Sequence, residues 1–305
     1  MTANQQKTSD ALRTYRYLRI GMLGAVVLLG ASVWKEGGDP CWETSISAYW
    51  YTPAQPVFVG VLLAIGFAMI VIKGRTVYED TALNFAGMFA PVVALVPTGP
   101  PKKADQCNVT VPPGIDDMVE NNVWALLAAG LFCLAVGFGI AVVLRRSIRA
   151  PFEVDTGSWV TLAVSSVVVG GAIVLNNIWD YGELTRYAHG NAARLMFGCM
   201  FLAAVFAAIE ARNRAKEGAR PNQERVSQGR YQNAYIVTAL GMAGGLLFLG
   251  VDLFGAHEVL ALETWEILWF GAFWAVQTAE RWNEPPHGSP ETVTVSPDAH
   301  RLLKA

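Results

Sequence analysis

The sequence predicts an all-α fold: a polytopic membrane helix bundle of about eight transmembrane helices with both termini in the cytoplasm. Two observations carry this. Eight apolar stretches, at 17–34, 54–72, 81–98, 122–144, 158–178, 191–209, 231–251 and 262–281, punctuate the 305 residues. Eighteen of the 23 Lys and Arg fall at the N-terminus and in the gaps after the second, fourth, sixth and eighth stretches. Basic residues collect on the cytoplasmic side of inner-membrane proteins, so this alternation sets the orientation as well as the class.

Composition agrees. Hydrophobic residues make up 53% of the chain and charged residues 16%, with a mean hydropathy of +0.32. Each stretch is long enough to cross a hydrocarbon core of roughly 30 Å. The gaps are too short for a separate soluble domain. The expected organisation is a cytoplasmic segment at 1–16, one transmembrane domain at 17–282, and a polar, Pro-rich disordered cytoplasmic tail at 283–305. The apolar run from Ile20 to Val33 follows Arg13, Arg16 and Arg19 and is read as a signal anchor that stays in the mature chain. The expected location is the cell's plasma or inner membrane.

The acids follow the opposite rule. With this topology the outer side carries a net charge of −8 and the inner side +6, which together give the chain's −2. An acidic mouth draws cations and disfavours anions through its field.

The first outer loop holds Trp34, Trp42, Tyr49, Trp50 and Tyr51. Such residues form either an interfacial aromatic belt or a structured loop folded over the bundle. Cys41 in this loop and Cys107 in the next outer loop are the candidate structural disulfide. Cys133 and Cys199 fall inside apolar stretches and read as small hydrophobes. The second outer loop, rich in Pro between Pro97 and Pro113, cannot be helical throughout. Glu79 and Asp80 open the third stretch as acids that suit a helix N-terminus, with Asp80 or Thr81 as its cap. Pro91 should kink that helix. Gly241-Met-Ala-Gly-Gly245 permits close helix contact.

Polar residues at membrane depth cost free energy unless they face the bundle or water, so they point to function. The last stretch is the richest. At 100° per residue, with Glu266 at 0°, Glu263 lies at about +60°, Gln277 at about +20° and Glu280 at about −40°. Phe270 and Phe273 share that face. Asp180, Asp252 and His257 sit at neighbouring outer ends. The ligand-binding candidates are therefore Asp180, Asp252, His257, Glu263, Glu266 and Gln277, lining an outward-facing vestibule for a small cationic or amphiphilic ligand. The other account of these residues is that they satisfy helix ends and pair with Arg186 or Arg194.

No phosphate-binding Gly-rich loop, metalloprotease helix, paired-Cys motif or nucleophile elbow occurs, so no cofactor or metal is assigned. The basic loop at 210–230 suits anionic lipid headgroups. It lacks aromatic interleaving, and nucleic acid is excluded as a partner. Three classes of function stay open: a binding, receptor or transport protein; a lipid-processing enzyme drawing on Ser47, Asp180, His189 or His257; and a subunit or scaffold of a membrane complex.

The run Ser45-Ile-Ser-Ala-Tyr-Trp-Tyr-Thr52, followed by Val57-Phe-Val-Gly60 and Ala64-Ile-Gly66, resembles a signature of uncharacterised bacterial polytopic membrane proteins. Glu79-Asp80 and Phe273-Trp-Ala-Val-Gln-Thr-Ala-Glu280 are similar to the rest of that pattern. The resemblance implies a multi-pass membrane fold and no specific activity. The layout is also loosely similar to the CREST superfamily of membrane hydrolases and receptors. This chain lacks that group's His-x-x-x-His pair, and no catalytic residue is carried over.

Overall fold

A computed structural model describes residues 3–37, 42–99, 109, 111–146, 163, 165–166, 171, 181–217, 223–249 and 254–284. Seven α-helices occur among them: α1 Ala3–Gly37, α2 Gln55–Val71, α3 Val77–Leu95, α4 Ile115–Arg146, α5 Tyr181–Glu217, α6 Gln223–Gly244 and α7 Glu258–Glu280. Helices α1, α4, α5 and α7 each contain a stretch long and apolar enough to cross a membrane. Helix α2 is apolar but shorter, at 17 residues. The apolar stretch at 158–178 lies almost wholly outside the described residues, as do Cys41, Cys107, Asp180, Asp252 and the tail beyond Glu284. Cys133 and Cys199 are free.

Most helices run past the apolar stretches that mark them, because the helical hydrogen-bond ladder continues into water where the hydrocarbon ends. Packing orders them as a closed ring: α1 on α2, α2 on α3, α3 on α5, α5 on α6, α6 on α7, and α7 back on α1. Helix α4 stands outside this ring against α3 and α5. It also turns Trp124, Leu131, Phe132 and Ile140 outward. Lipid tails, unlike water, accept such a surface without penalty.

Small residues set the closest contacts, as expected where no hydrophobic driving force pulls helices together. On α3, Ala82, Ala86, Ala90 and Ala94 recur every fourth residue and are all buried. On α5, Ala203, Ala204, Ala207, Ala208 and Ala211 are buried likewise. Where α2 meets α3, a Cβ on Gly87 would stand 2.5 Å from the Gly66 carbonyl oxygen. Helix α3 runs through Pro91 to Leu95. Proline has no N–H for the Gly87 carbonyl four residues back. That oxygen faces Gly66 instead, 2.9 Å from where a Cβ would stand, an approach open only to glycine. Gly241 leaves no room for a Cβ against the ring of Trp269, so the glycine run on α6 lets α7 in close.

The cap of α3 differs from the sequence expectation. Thr76 is the N-cap, its side chain accepting from Glu79 N–H. Asp80 instead closes the preceding turn, accepting from Gly74 N–H at 3.0 Å and Lys73 Nζ at 2.9 Å. The Thr-x-x-Glu spacing is that of a capping box, and it starts the helix four residues before the apolar stretch begins.

The loop before α2 is a structured plug rather than an interfacial belt. Residues Ser47–Tyr51 form a 3-10 turn whose side chains are all buried. Trp50 Nε1 donates to Ala94 O at 3.1 Å, and the Tyr51 hydroxyl donates to Thr98 O at 2.5 Å. Burial pushes the Tyr51 hydroxyl up to about 12, so it stays a donor. Leu260 N–H donates to Thr44 O at 3.0 Å, stitching the loop to α7.

Glu43, only 2% exposed, gives this loop a pH dependence. Burial pushes its carboxyl above the ordinary value, opposed by the nearby His257. One carboxyl oxygen, Oε2, is buried with no hydrogen-bond partner. A carboxyl that binds its proton more tightly folded than unfolded contributes stability at low pH, which is lost as pH rises through the raised value. The expected result is looser packing of Trp42 on Trp34, whose ring centroids are 5.5 Å apart, as pH climbs above the ordinary carboxylate range. Hydrogen exchange of residues 42–51 across pH should detect it, and Glu43→Gln should flatten the profile. A profile unchanged by that substitution would rule Glu43 out as the cause.

Candidate functional site

The polar stripe of α7 faces the interior of the ring, but its residues serve two places at opposite ends. Glu263 and Gln277 are 14 positions apart, about 21 Å along the helix.

At the loop end, a cavity of about 50 Å³ lies among α1, α2, α3, α5 and α7. Its walls are apolar, with Leu29, Phe58, Leu62, Met196 and Phe270 among them. The polar exceptions are Ser47 and Glu263. The Glu263 carboxylate accepts from Ser47 Oγ at 2.8 Å and from Ser47 N–H at 3.2 Å. The plug thus fixes a carboxylate at the head of an apolar chamber. Its hydrogen bonds come from Ser47 and the Ile46 backbone, and among the described residues no cationic side chain pairs with it.

The other candidates among the described residues are placed apart from this chamber. Glu266 is buried against Gly245, which leaves no room for a Cβ beside its carboxylate. His257 is exposed, its Nε2 lying 3.2 Å from Trp42 O. Gln277 belongs to the far end.

That far end holds a buried charge network the sequence reading did not anticipate. Glu79 is fully buried. Its Oε1 accepts from Arg281 Nη2 at 2.5 Å and from Gln277 Nε2 at 2.9 Å, and its Oε2 from Arg75 N–H at 2.9 Å. Arg19, buried within α1, donates from Nη1 to Gln277 O at 3.1 Å and to Gln277 Oε1 at 3.3 Å. Glu280 accepts from Arg75 Nη1 at 2.8 Å, Arg214 Nη2 at 2.6 Å and the Tyr235 hydroxyl at 2.6 Å. Glu284 pairs with Arg75. Five helices and the α2–α3 turn converge here. Four arginines face three glutamates, with Glu210 on Arg214 at 3.6 Å as a fourth. Unlike Glu263, these charges are matched, and they close that end of the ring.

The glutamate on α3 had a sufficient local explanation in helix capping, so nothing near it in sequence pointed to burial. The usable signal was Arg19, a cation inside an apolar helix that needs a buried partner.

Ser47 and His257 have their hydrogen bonds elsewhere, as above. The His189 Nδ1 lies 2.7 Å from Val96 O, so that nitrogen carries the proton, and its buried Nε2 has no hydrogen-bond partner. Among the described residues no group of three or more His, Cys, Asp or Glu is placed to hold a metal ion.

Four apolar helices of spanning length around a helical bundle define the class: an all-helical membrane protein. Comparison with protein-family models, curated proteins and solved structures finds no match to this chain.

Proposed function

We propose that this chain is a multi-pass membrane protein of the binding or transport class, taking an amphiphilic cation into the chamber headed by Glu263. The observation that carries the reading is the Glu263 carboxyl group, with no cationic partner among the described residues, at the end of an otherwise apolar cavity. Such a chamber favours a ligand with one positive, hydrogen-bonding head and an apolar body. The plug at Ser47–Tyr51 covers the head group, and α1, α2, α3, α5 and α7 supply the apolar walls.

In this reading the chain crosses the plasma or inner membrane eight times, with both termini cytoplasmic and the Glu263 chamber toward the outside. Support comes from which residues meet. Arg19, Arg75, Arg214 and Arg281, all assigned to the inner side by the charge alternation, gather in one network. Ser47, His257 and Glu263, all assigned to the outer side, gather at the other end. Asp180 and Asp252 would extend the acidic approach to the chamber.

The test is binding of a series of alkylammonium ions of increasing chain length to the purified protein in nanodiscs. Affinity should rise with chain length until the chamber is filled. Glu263→Gln should weaken binding by roughly 10–100-fold, the loss of one charge-assisted contact of about 1.5–3 kcal/mol. Ser47→Ala should weaken it less. Equal affinity of wild type and Glu263→Gln for every member of the series would defeat the proposal.

A further inference from the structure

A second cavity lies on the flank of the ring, between α5 and α6. It is an open groove of about 320 Å³, lined by Phe201, Val205, Ile209, Ile236 and Leu240, with Arg212 and Gln232 at one end. From Arg212 to Phe201 on α5 is 11 positions, and from Gln232 to Ala243 on α6 is another 11. Either path measures about 16 Å along its helix. Half of a hydrocarbon core of roughly 30 Å is about 15 Å. The groove therefore has the length of one leaflet, with its polar end where the headgroups begin.

Charge selects the occupant. Arg212 is exposed and makes no ion pair among the described residues. One turn away on its own helix stand Ala208, Ile209, Ala215 and Lys216, none of them acidic. Arg214, two positions on, is turned inward to Glu280, so Arg212 is left facing the groove. Lys216 follows one turn beyond Arg212 on α5 and Arg230 precedes Gln232 by two positions on α6, and both are exposed. A long apolar slot ending in an uncompensated guanidinium suits a molecule with a phosphate at one end and a hydrocarbon chain behind it.

We propose that this groove binds one acyl chain of an anionic phospholipid of the inner leaflet, its phosphate paired with Arg212. The inference rests on the membrane-spanning reading of α5 and α6 but not on the Glu263 chamber. Failure of one leaves the other standing, because the variants that test them do not overlap.

The experiment is native mass spectrometry of the full chain released from nanodiscs of equal phosphatidylglycerol and phosphatidylcholine. Wild type should retain phosphatidylglycerol over phosphatidylcholine by roughly fivefold, the preference that one juxtamembrane cation supplies. Arg212→Gln should bring the ratio close to one while leaving thermal unfolding unchanged. Ala243→Phe, which fills the deep end of the groove, should reduce retention of both lipids. Competition provides a check that needs no substitution: a short-chain phosphatidylglycerol should displace the bound lipid at least tenfold less well than the long-chain form. No headgroup preference in wild type would overturn the proposal. So would equal competition by the short-chain lipid, since it would mean that the basic surface attracts headgroups without any chain site.

Discussion

Glu79→Gln should lower the stability of the folded bundle by about 3–5 kcal/mol, the cost of leaving a buried charge without its partner. The substitution keeps the shape of the side chain and so isolates the charge. Arg281, 6% exposed, would keep only neutral acceptors, the amide oxygen of the new glutamine and Lys73 O, 3.3 Å away. It would also face Arg19, which it already repels, with no carboxylate between them. Reversible unfolding in mixed micelles measures the loss. The double variant Glu79→Gln with Arg281→Met should recover most of it, because it also removes the buried cation that the single variant leaves without its partner. A single variant as stable as wild type would mean that the network is solvated rather than buried.

Trp50→Ala should cost about 3–5 kcal/mol, as is usual for truncating a buried large aromatic. The indole is 2% exposed and packs edge-on against Tyr51 at 5.2 Å between ring centroids. Its loss also strands the Ala94 carbonyl. Trp50→Phe keeps an aromatic ring but loses the pyrrole part of the indole and its hydrogen bond, so it should cost less than the alanine variant, about 1–3 kcal/mol. The functional readout matters as much as the stability. The plug that carries Trp50 also carries Ser47, so the alanine variant should release alkylammonium ligands faster while Glu263 itself is intact. A loss below about 1 kcal/mol for Trp50→Ala, on the same scale, would show that the loop is not anchored by this residue.

The helices and the inward face of α7 were legible in the sequence because both are periodic. Apolar runs mark the spans, and 100° geometry places Glu263, Gln277 and Glu280 on one arc regardless of what they touch. The partners of those residues were not legible. Ser47 meets Glu263 across 216 positions, and Arg281 meets Glu79 across 202. No local pattern encodes such a pairing. Tyr49, Trp50 and Tyr51 were ambiguous for a different reason. Aromatic residues near a membrane surface are expected on general grounds, so composition alone could not separate a belt from a plug. The division of the α7 stripe between a chamber and a distant charge cluster follows from its length, since 14 positions of helix outreach any single pocket.

The closed ring has a consequence for how the chain is made. Helix α1 packs on α7, and the seam is fastened by Arg16, which donates from Nε to Trp282 O at 2.7 Å and from Nη2 to Asn283 Oδ1 at 2.9 Å. The ring cannot shut until the last helix leaves the ribosome. Synthesis proceeds at about 5–20 residues per second, so Glu79 waits on the order of 10–40 s for the arrival of Arg281. During that interval its carboxyl lacks the arginine it meets in the finished bundle. The nascent protein must keep it hydrated, protonated or held by the insertion machinery until the final helix arrives.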